Sequence, residues 1–325
     1  MNDNLHNLDH LNLSEAELFA HVDNNELESE KITAPRYSYW RSVFRVFFKK
    51  RINIVILSLF AILLLFTYVY PALVPYDQFE NLMDASGKHL TTSAAIDKYG
   101  FQMRWIFGAG KSGESTFDAV WNGANISISM AFICAAINLT VGIVLGAVWG
   151  FSKKVDIVMT EVYNIIGNVP YILFISVMVL IFSSGFWTMV FALTVTGWLA
   201  IAYFIRTQVI IIRDREYNLA SRTLGTPLFR ILFKNLLPYL LSVIILRLAM
   251  SIPATISLES MLSYLGLGLD INTPSLGILL RNARSYFLDY PYLLIFPAVI
   301  VSLITVTFYL VGNAFSDASD PRNHV

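Results

Sequence analysis

The chain has 325 residues, 56% of them hydrophobic and 14% charged, with a mean hydropathy of +0.59. Soluble domains carry about a quarter charged residues, so a shortfall spread over most of the chain points to an integral membrane protein. A formal net charge of +0 gives no bulk attraction to nucleic acid, and a single cysteine, Cys134, excludes an internal disulfide or a cysteine metal cluster.

Residues 1–35 form a polar, acidic tail, in which Ser14 and Glu17 fit a capping box opening a short helix through Val22. No basic stretch precedes an early apolar core, so no signal peptide is expected. Residues 36–51, RYSYWRSVFRVFFKKR, change character. Trp40, Phe44, Phe47 and Phe48 recur at helical spacing, while Arg41, Arg45 and Lys49 repeat on another face. This pattern predicts an interfacial amphipathic helix, apolar side in acyl chains and basic side toward headgroups. Basic residues gathered just before the first span predict a cytoplasmic N-terminus by the positive-inside rule.

The fold class expected is an all-α integral membrane protein with six transmembrane helices inside residues 52–322. The first span covers about 53–70 and is stopped by Pro71 and Pro75, after which residues 76–122 form a long external segment. The second covers about 126–151 and ends at Lys153-Lys154, marking an inner turn; the third, about 157–182, contains Asn164, Asn168 and Pro170. The fourth covers about 186–205. A polar, Arg-bearing region at 213–238 then carries Arg213, Arg215, Arg222, Arg230 and Lys234, which again indicates the cytoplasm. The fifth span covers about 239–262 with Pro253 inside it, an external segment spans 263–291, and the sixth runs about 292–311 to a cytoplasmic C-terminus.

Within 76–122 lies Gly108-Ala109-Gly110-Lys111-Ser112, which imitates the end of a phosphate-binding loop. The first glycine of that motif would stand at 105, where the chain has Trp105, and no strand signal precedes it. Nucleotide binding is not expected there.

Catalytic patterns are lacking: there is no nucleophile elbow, no HExxH and no carboxylate pair within a span. None of the five histidines falls in an apolar run. The ionisable residues in or near the bilayer are Asp156, Glu161, Arg247 and Glu259, of a kind that usually faces a bundle interior or an aqueous path. Arg247 and Glu259 are therefore candidates for lining a translocation pathway, with structural pairing as the other reading. Gly266 and Gly268 soon after Glu259 predict a helix break or a re-entrant turn, and Pro170 and Pro253 predict kinks.

The stretch Glu216–Pro238, EYNLASRTLGTPLFRILFKNLLP, is the most informative. On a helix, Tyr217, Ala220, Ser221, Leu224 and Gly225 fall within an arc of about 140°, at roughly 100° per residue, with Arg215 and Arg222 opposite. Gly225 suits the position just past the helix end, and Pro227 forbids continuation. A second short helix, Leu228 to Leu237, is expected to stop at Pro238. Pattern alone leaves two readings open: a small-residue face that docks in a protein groove, or an amphipathic loop resting on the membrane.

Leu219-Ala220-Ser221-Arg222-Thr223-Leu224-Gly225, closed by Leu237-Pro238, resembles the EAA loop of ABC importer permeases. The family's Glu position is Leu219 here and its second Ala is Ser221. Glu259 with Ser263-Tyr264-Leu265-Gly266-Leu267-Gly268, then Pro274-Ser275-Leu276-Gly277, is similar to the signature after the fifth span of oligopeptide and dipeptide permeases. Pro75-Tyr76-Asp77, Phe107-Gly108 and the ending Asp317 to Arg322 resemble the same group, so the likeness covers roughly 36–322. It is greatest to the second, C-type, oligopeptide permease subunit.

The resemblance implies half of a peptide-importing pore, paired with a homologous permease, two ABC ATPase subunits and an extracellular peptide-binding protein. It implies no catalysis and no cofactor in this chain, since ATP and Mg would be held by the ATPases. Glu216, Tyr217, Ala220, Ser221, Gly225 and Pro238 would form the ATPase-coupling surface. Related permeases handle dipeptides, nickel or other solutes, and these remain alternatives. A stand-alone secondary transporter would need intramembrane ion sites and paired repeats, which the sequence does not display.

Overall fold

The computed structural model describes residues 39–77, 91–110, 113–231, 234, 237–270 and 272–320. The acidic tail, residues 36–38 of the basic stretch, and Lys111-Ser112 lie outside them. The chain divides into two compact units, Met1–Ser42 and Val43–Val325. The described part of the first is the opening turn of one helix, and the other described elements belong to the second.

Among the described residues the regular elements are all helical. Helix α1 (Tyr39–Lys49) leads into α2 (Arg51–Leu73) through a tight turn, pinned where Asn53 Nδ2 donates to the Phe47 carbonyl at 3.1 Å. The apolar face expected to rest in lipid is divided. Val43 and Phe47 are buried, with Phe47 stacked on Phe315 at 4.3 Å, while Phe44 and Phe48 stay exposed.

Pro71 does not stop the first span. It sits inside the last turn of α2, which continues to Leu73. A proline there has no N–H to give the carbonyl four residues earlier, that of Thr67. Asn125 Nδ2 supplies the missing donor at 3.2 Å, so the helix tolerates the proline without a buried orphan.

The segment taken as one external stretch is partly helical: α3 (Thr92–Tyr99), a 3-10 turn at Met103–Trp105, and then α4 (Thr116–Phe151). Helix α4 begins ten residues before the expected span, because Ser115 caps it: its hydroxyl accepts from the Asp118 N–H at 3.2 Å. Asp118 complements the positive end of the helix. Its carboxylate accepts from Tyr70 at 2.5 Å and from Arg104 Nη2 at 2.7 Å, tying three elements together. At about 1.5 Å per residue α4 is roughly 54 Å long, well over the ~30 Å of hydrocarbon.

The third expected span is two helices, α5 (Lys153–Gly167) and α6 (Tyr171–Phe182), bent by 79°. Asn168 caps α5, and Pro170 cannot continue its ladder, so the expected kink becomes a full break. The fourth comprises α7 (Phe186–Val195) and α8 (Trp198–Arg213), interrupted at Thr196-Gly197 and extending eight residues past the expected end. The polar loop holds α9 (Glu216–Thr223) and α10 (Leu228–Ile231). After it come α11 (Leu237–Tyr264), a short α12 (Leu276–Ala283) and α13 (Tyr292–Ser319). Pro253 lies within α11, which stays one helix. Among the described residues five helical stretches are long and apolar enough to cross a membrane, and six if the bent α5–α6 pair counts as one span.

Helix α4 is the axis of the packing. Its Gly142, Gly146 and Gly150 recur every fourth residue and face α8. A Cβ on Gly146 would lie 2.8 Å from the Ala202 Cα, so the two backbones touch where no side chain fits. On another face, Ile128 joins Ile256 of α11 and Ile304 of α13 in the largest buried cluster. A second cluster joins Met130 and Cys134 to Ile175 of α6 and Met189 of α7.

Candidate functional site

The polar loop builds from the end of α8. The chain turns at Asp214-Arg215 into α9, whose first-turn amides at Asn218 and Leu219 both donate to the Arg215 carbonyl. One side chain of α9 points inward. Asn218 is fully buried and its Nδ2 donates to the Ile212 carbonyl at 2.9 Å, a further bond on an acceptor that also takes the Arg215 N–H at 3.1 Å. Arg213 Nη1 donates to the Gly150 carbonyl at 2.7 Å, and the Arg222 guanidinium lies 5.1 Å over the Phe151 ring. Both contacts fasten the loop to the C-terminal end of α4.

The outward side carries the residues expected there. Tyr217 is 50% exposed and Leu224 85%; Glu216, Ala220 and Gly225 are exposed, and Ser221 is half-buried. Gly225 has φ +76°, with its N–H donating to Arg222 O and the Thr226 N–H to Ser221 O, both at 3.0 Å. Those two bonds are a Schellman ending, which favours glycine because the left-handed turn penalises a Cβ. A side chain at 225 would meet open space. Leu219, at the family's Glu position, is 43% exposed and presents an apolar group instead of a charge.

Beyond Pro227 the second short helix is α10, whose Ile231 is buried among Ile205, Val209 and Ile212 of α8. Pro238 does not end it: Pro238 lies in the first turn of α11, where a missing N–H leaves no bond unmade. It thus starts the next helix.

The two pathway candidates are not brought together. They are twelve residues apart on α11, about 18 Å along the helix. Arg247 is exposed, its guanidinium 4.4 Å over the Phe204 ring. Glu259 is 1% exposed and sits between helices, accepting from Ser127 at 3.1 Å, Ser263 at 2.8 Å and Ser275 at 2.7 Å. The expected break comes after it, with the Leu267 N–H donating to Leu262 O at 2.8 Å.

The Gly108–Ser115 loop uses its amides internally. Gly110 N–H donates to Glu114 O at 2.6 Å, and Thr116 N–H to Gly108 O at 3.0 Å. Nothing of a phosphate cradle is left in the described part of it. Among the described residues no group of three His, Cys, Asp or Glu is placed to hold a metal. Arg213 and Asn218 carry the loop's anchoring, and sequence reasoning did not single out Asn218. Its signal was a polar residue on the face of α9 opposite Ala220.

Residues 138–325 match the family described as the inner membrane component of binding-protein-dependent transport systems. The chain belongs to that family. As one of its permeases it is a multi-pass inner membrane transport subunit, not itself catalytic and with no cofactor of its own, and it is part of an ABC transporter with ATPase subunits. Residues 38–89 match the N-terminal transmembrane domain of oligopeptide transport permease C, so the permease is of the C type. It is 41% identical over 310 residues to the oligopeptide transport system permease protein AmiD of Streptococcus pneumoniae, covering 95% of this chain and 98% of that one. It is 30% identical to the oligopeptide permease OppC of Bacillus subtilis, covering 92% and 94%. To the dipeptide permease DppC of the same organism it is 31% identical, over 91% and 89%. An inward-facing structure of the MetNI methionine ABC transporter superposes with a TM-score of 0.50 at 18% identity, over 62% of this chain and 94% of that one, a likeness of fold alone.

Proposed function

We propose that this permease forms half of the pore of an oligopeptide importer and that Glu216–Gly225 is the surface an ATPase subunit grips. The observation that carries the reading is an exposed short helix, ended at Gly225, which Asn218 fastens to α8 and Arg222 to α4, while Arg213 at the end of α8 grips α4. A partner pushing on Tyr217, Ala220, Ser221 and Leu224 would displace the two long helices with it. Relatives named for oligopeptide and dipeptide transport support a peptide solute.

In this reading the chain pairs with a homologous permease, two ABC ATPases and an extracellular peptide-binding protein, and both termini are cytoplasmic. Few charges in the spans suit a cavity with weak preference, leaving selection to the binding protein. Arg247, exposed on α11, remains the pathway candidate. Gly225→Arg places a long cation in the open space beyond the helix end. In the reconstituted importer, ATPase co-purification and uptake of a radiolabelled peptide mixture should fall at least tenfold, with membrane insertion unchanged. Normal uptake by that variant would sink the docking reading.

A further inference from the structure

Glu259 is the strongest unexplained feature. A carboxylate buried in the bundle faces no cation within its own hydrogen-bond set: it accepts from the hydroxyls of Ser127, Ser263 and Ser275 and from the Gly277 N–H. Such a group is costly unless fully satisfied. The same set completes the start of α12. Leu276 N–H donates to Ser127 Oγ at 3.2 Å, Ile278 N–H donates to Ser275 Oγ at 3.1 Å, and Gly277 N–H goes to Glu259 itself. Every hydroxyl that caps α12 also donates to the one carboxylate. Ser127 belongs to α4, Glu259 and Ser263 to α11, and Ser275 to α12, so one side chain joins three helices.

We infer that Glu259 is a positioning residue for transport: it makes the short α12 ride with α4, so that movement at the coupling loop reaches α12 through α4. The rest of the linkage is on the same helix. Arg213 grips the Gly150 carbonyl, and Gly142, Gly146 and Gly150 hold α8 against α4. Ser127 and Gly150 are about 35 Å apart along α4 at about 1.5 Å per residue. Helix α4 therefore carries the loop contact at one end and the Glu259 cluster most of a membrane thickness away. Coupling between distant sites needs an element that both bias, and α4 touches both.

This rests on the docking reading above, and its test is separate from that one. In the intact importer in nanodiscs, spin labels at Leu145 on α4 and Ser285 beyond α12, both exposed, report whether the two move together. Their separation should be the same in nucleotide-free and vanadate-trapped complexes. Ser127→Ala removes the α4 hydroxyl from the cluster, with its bond to the Leu276 N–H, and leaves Ser275 and Glu259 to cap α12. It should broaden the distance distribution, and it should reduce at least threefold the stimulation of ATP hydrolysis by the binding protein, added with the peptides it carries from cells. ATPase co-purification should stay at the wild-type level, and Ser127→Thr, which restores the hydroxyl, should restore both readouts. Glu259→Gln should act as Ser127→Ala does.

A separation that changes on trapping in the wild type would overturn the inference. So would Ser127→Ala and Glu259→Gln chains with unaltered distances and stimulation. Loss of the ATPases from Ser127→Ala would also overturn it, by placing the defect at docking; failure of docking itself is read from Gly225→Arg.

Discussion

Replacing Asn218 by alanine tests how α9 is held. The native amide closes the Ile212 carbonyl at 2.9 Å in a fully buried position. Alanine removes that donor while the carbonyl keeps the Arg215 N–H at 3.1 Å, so the loss is that of one side-chain hydrogen bond, about 0.5–1.5 kcal/mol. The backbone bonds that start α9 are untouched, so the cost falls on the seating of α9 against α8 and not on its helicity. At about 1.4 kcal/mol per factor of ten, opening of α9 should become roughly 2- to 12-fold more frequent. Hydrogen–deuterium exchange of the permease in nanodiscs reads this directly at the amides of Leu219 to Thr226. Exchange there should speed up by that factor, with α4 and α13 unchanged. If those amides exchange at the wild-type rate, the anchoring argument is wrong. A rise spread evenly over all helices would equally refute it, because the fault would then be global.

Other outcomes rest on particular contacts. Gly146→Val forces a side chain where a Cβ already comes within 2.8 Å of Ala202, and overpacking of about 1–3 kcal/mol should lower the melting temperature in detergent. Asn125→Leu should destabilise by about 1–3 kcal/mol through the orphaned Thr67 carbonyl, whereas the double variant with Pro71→Ala should recover most of it, since the backbone N–H returns. A double-mutant cycle in denaturant measures that coupling, and additive effects would contradict it. Gly225→Ala, strained at φ +76°, should cost about 1 kcal/mol and fray the end of α9, while Gly225→Asn, which tolerates the left-handed turn, should cost less; exchange at Leu224 to Thr226 separates them.

The long apolar runs made the spans legible, because lipid leaves a helix few alternatives. Their ends were not. Helix α4 begins at Thr116 in a stretch with no apolar run, and only the Ser115 cap marks it. Helix α13 runs on through Ser-Asp-Ala-Ser because Ala314, Ala318 and Ser319 are buried, a tertiary fact. Proline was ambiguous for a physical reason: Pro71 rides inside a helix because Asn125 replaces its missing donor, Pro170 follows a capped helix end, and Pro238 sits in a first turn where no helical bond is lost. In the polar loop, Gly225 was readable since few residues suit the position. Asn218 hid among polar neighbours. The charge of Glu259 stood out, but its partner Ser127 lies 132 positions away and left no local trace.

The Pro71–Asn125 contact also constrains the order in which the membrane part is assembled. When α2 first enters the bilayer, its Thr67 carbonyl has no donor within its own helix, and Asn125 has yet to be synthesised, 58 residues downstream. Until α4 arrives, that carbonyl depends on water or headgroups near the helix end, since hydrocarbon offers it nothing. An α2 on its own is therefore a poorly sealed span, and it gains most by waiting at the insertion site for α4 and entering lipid as a pair.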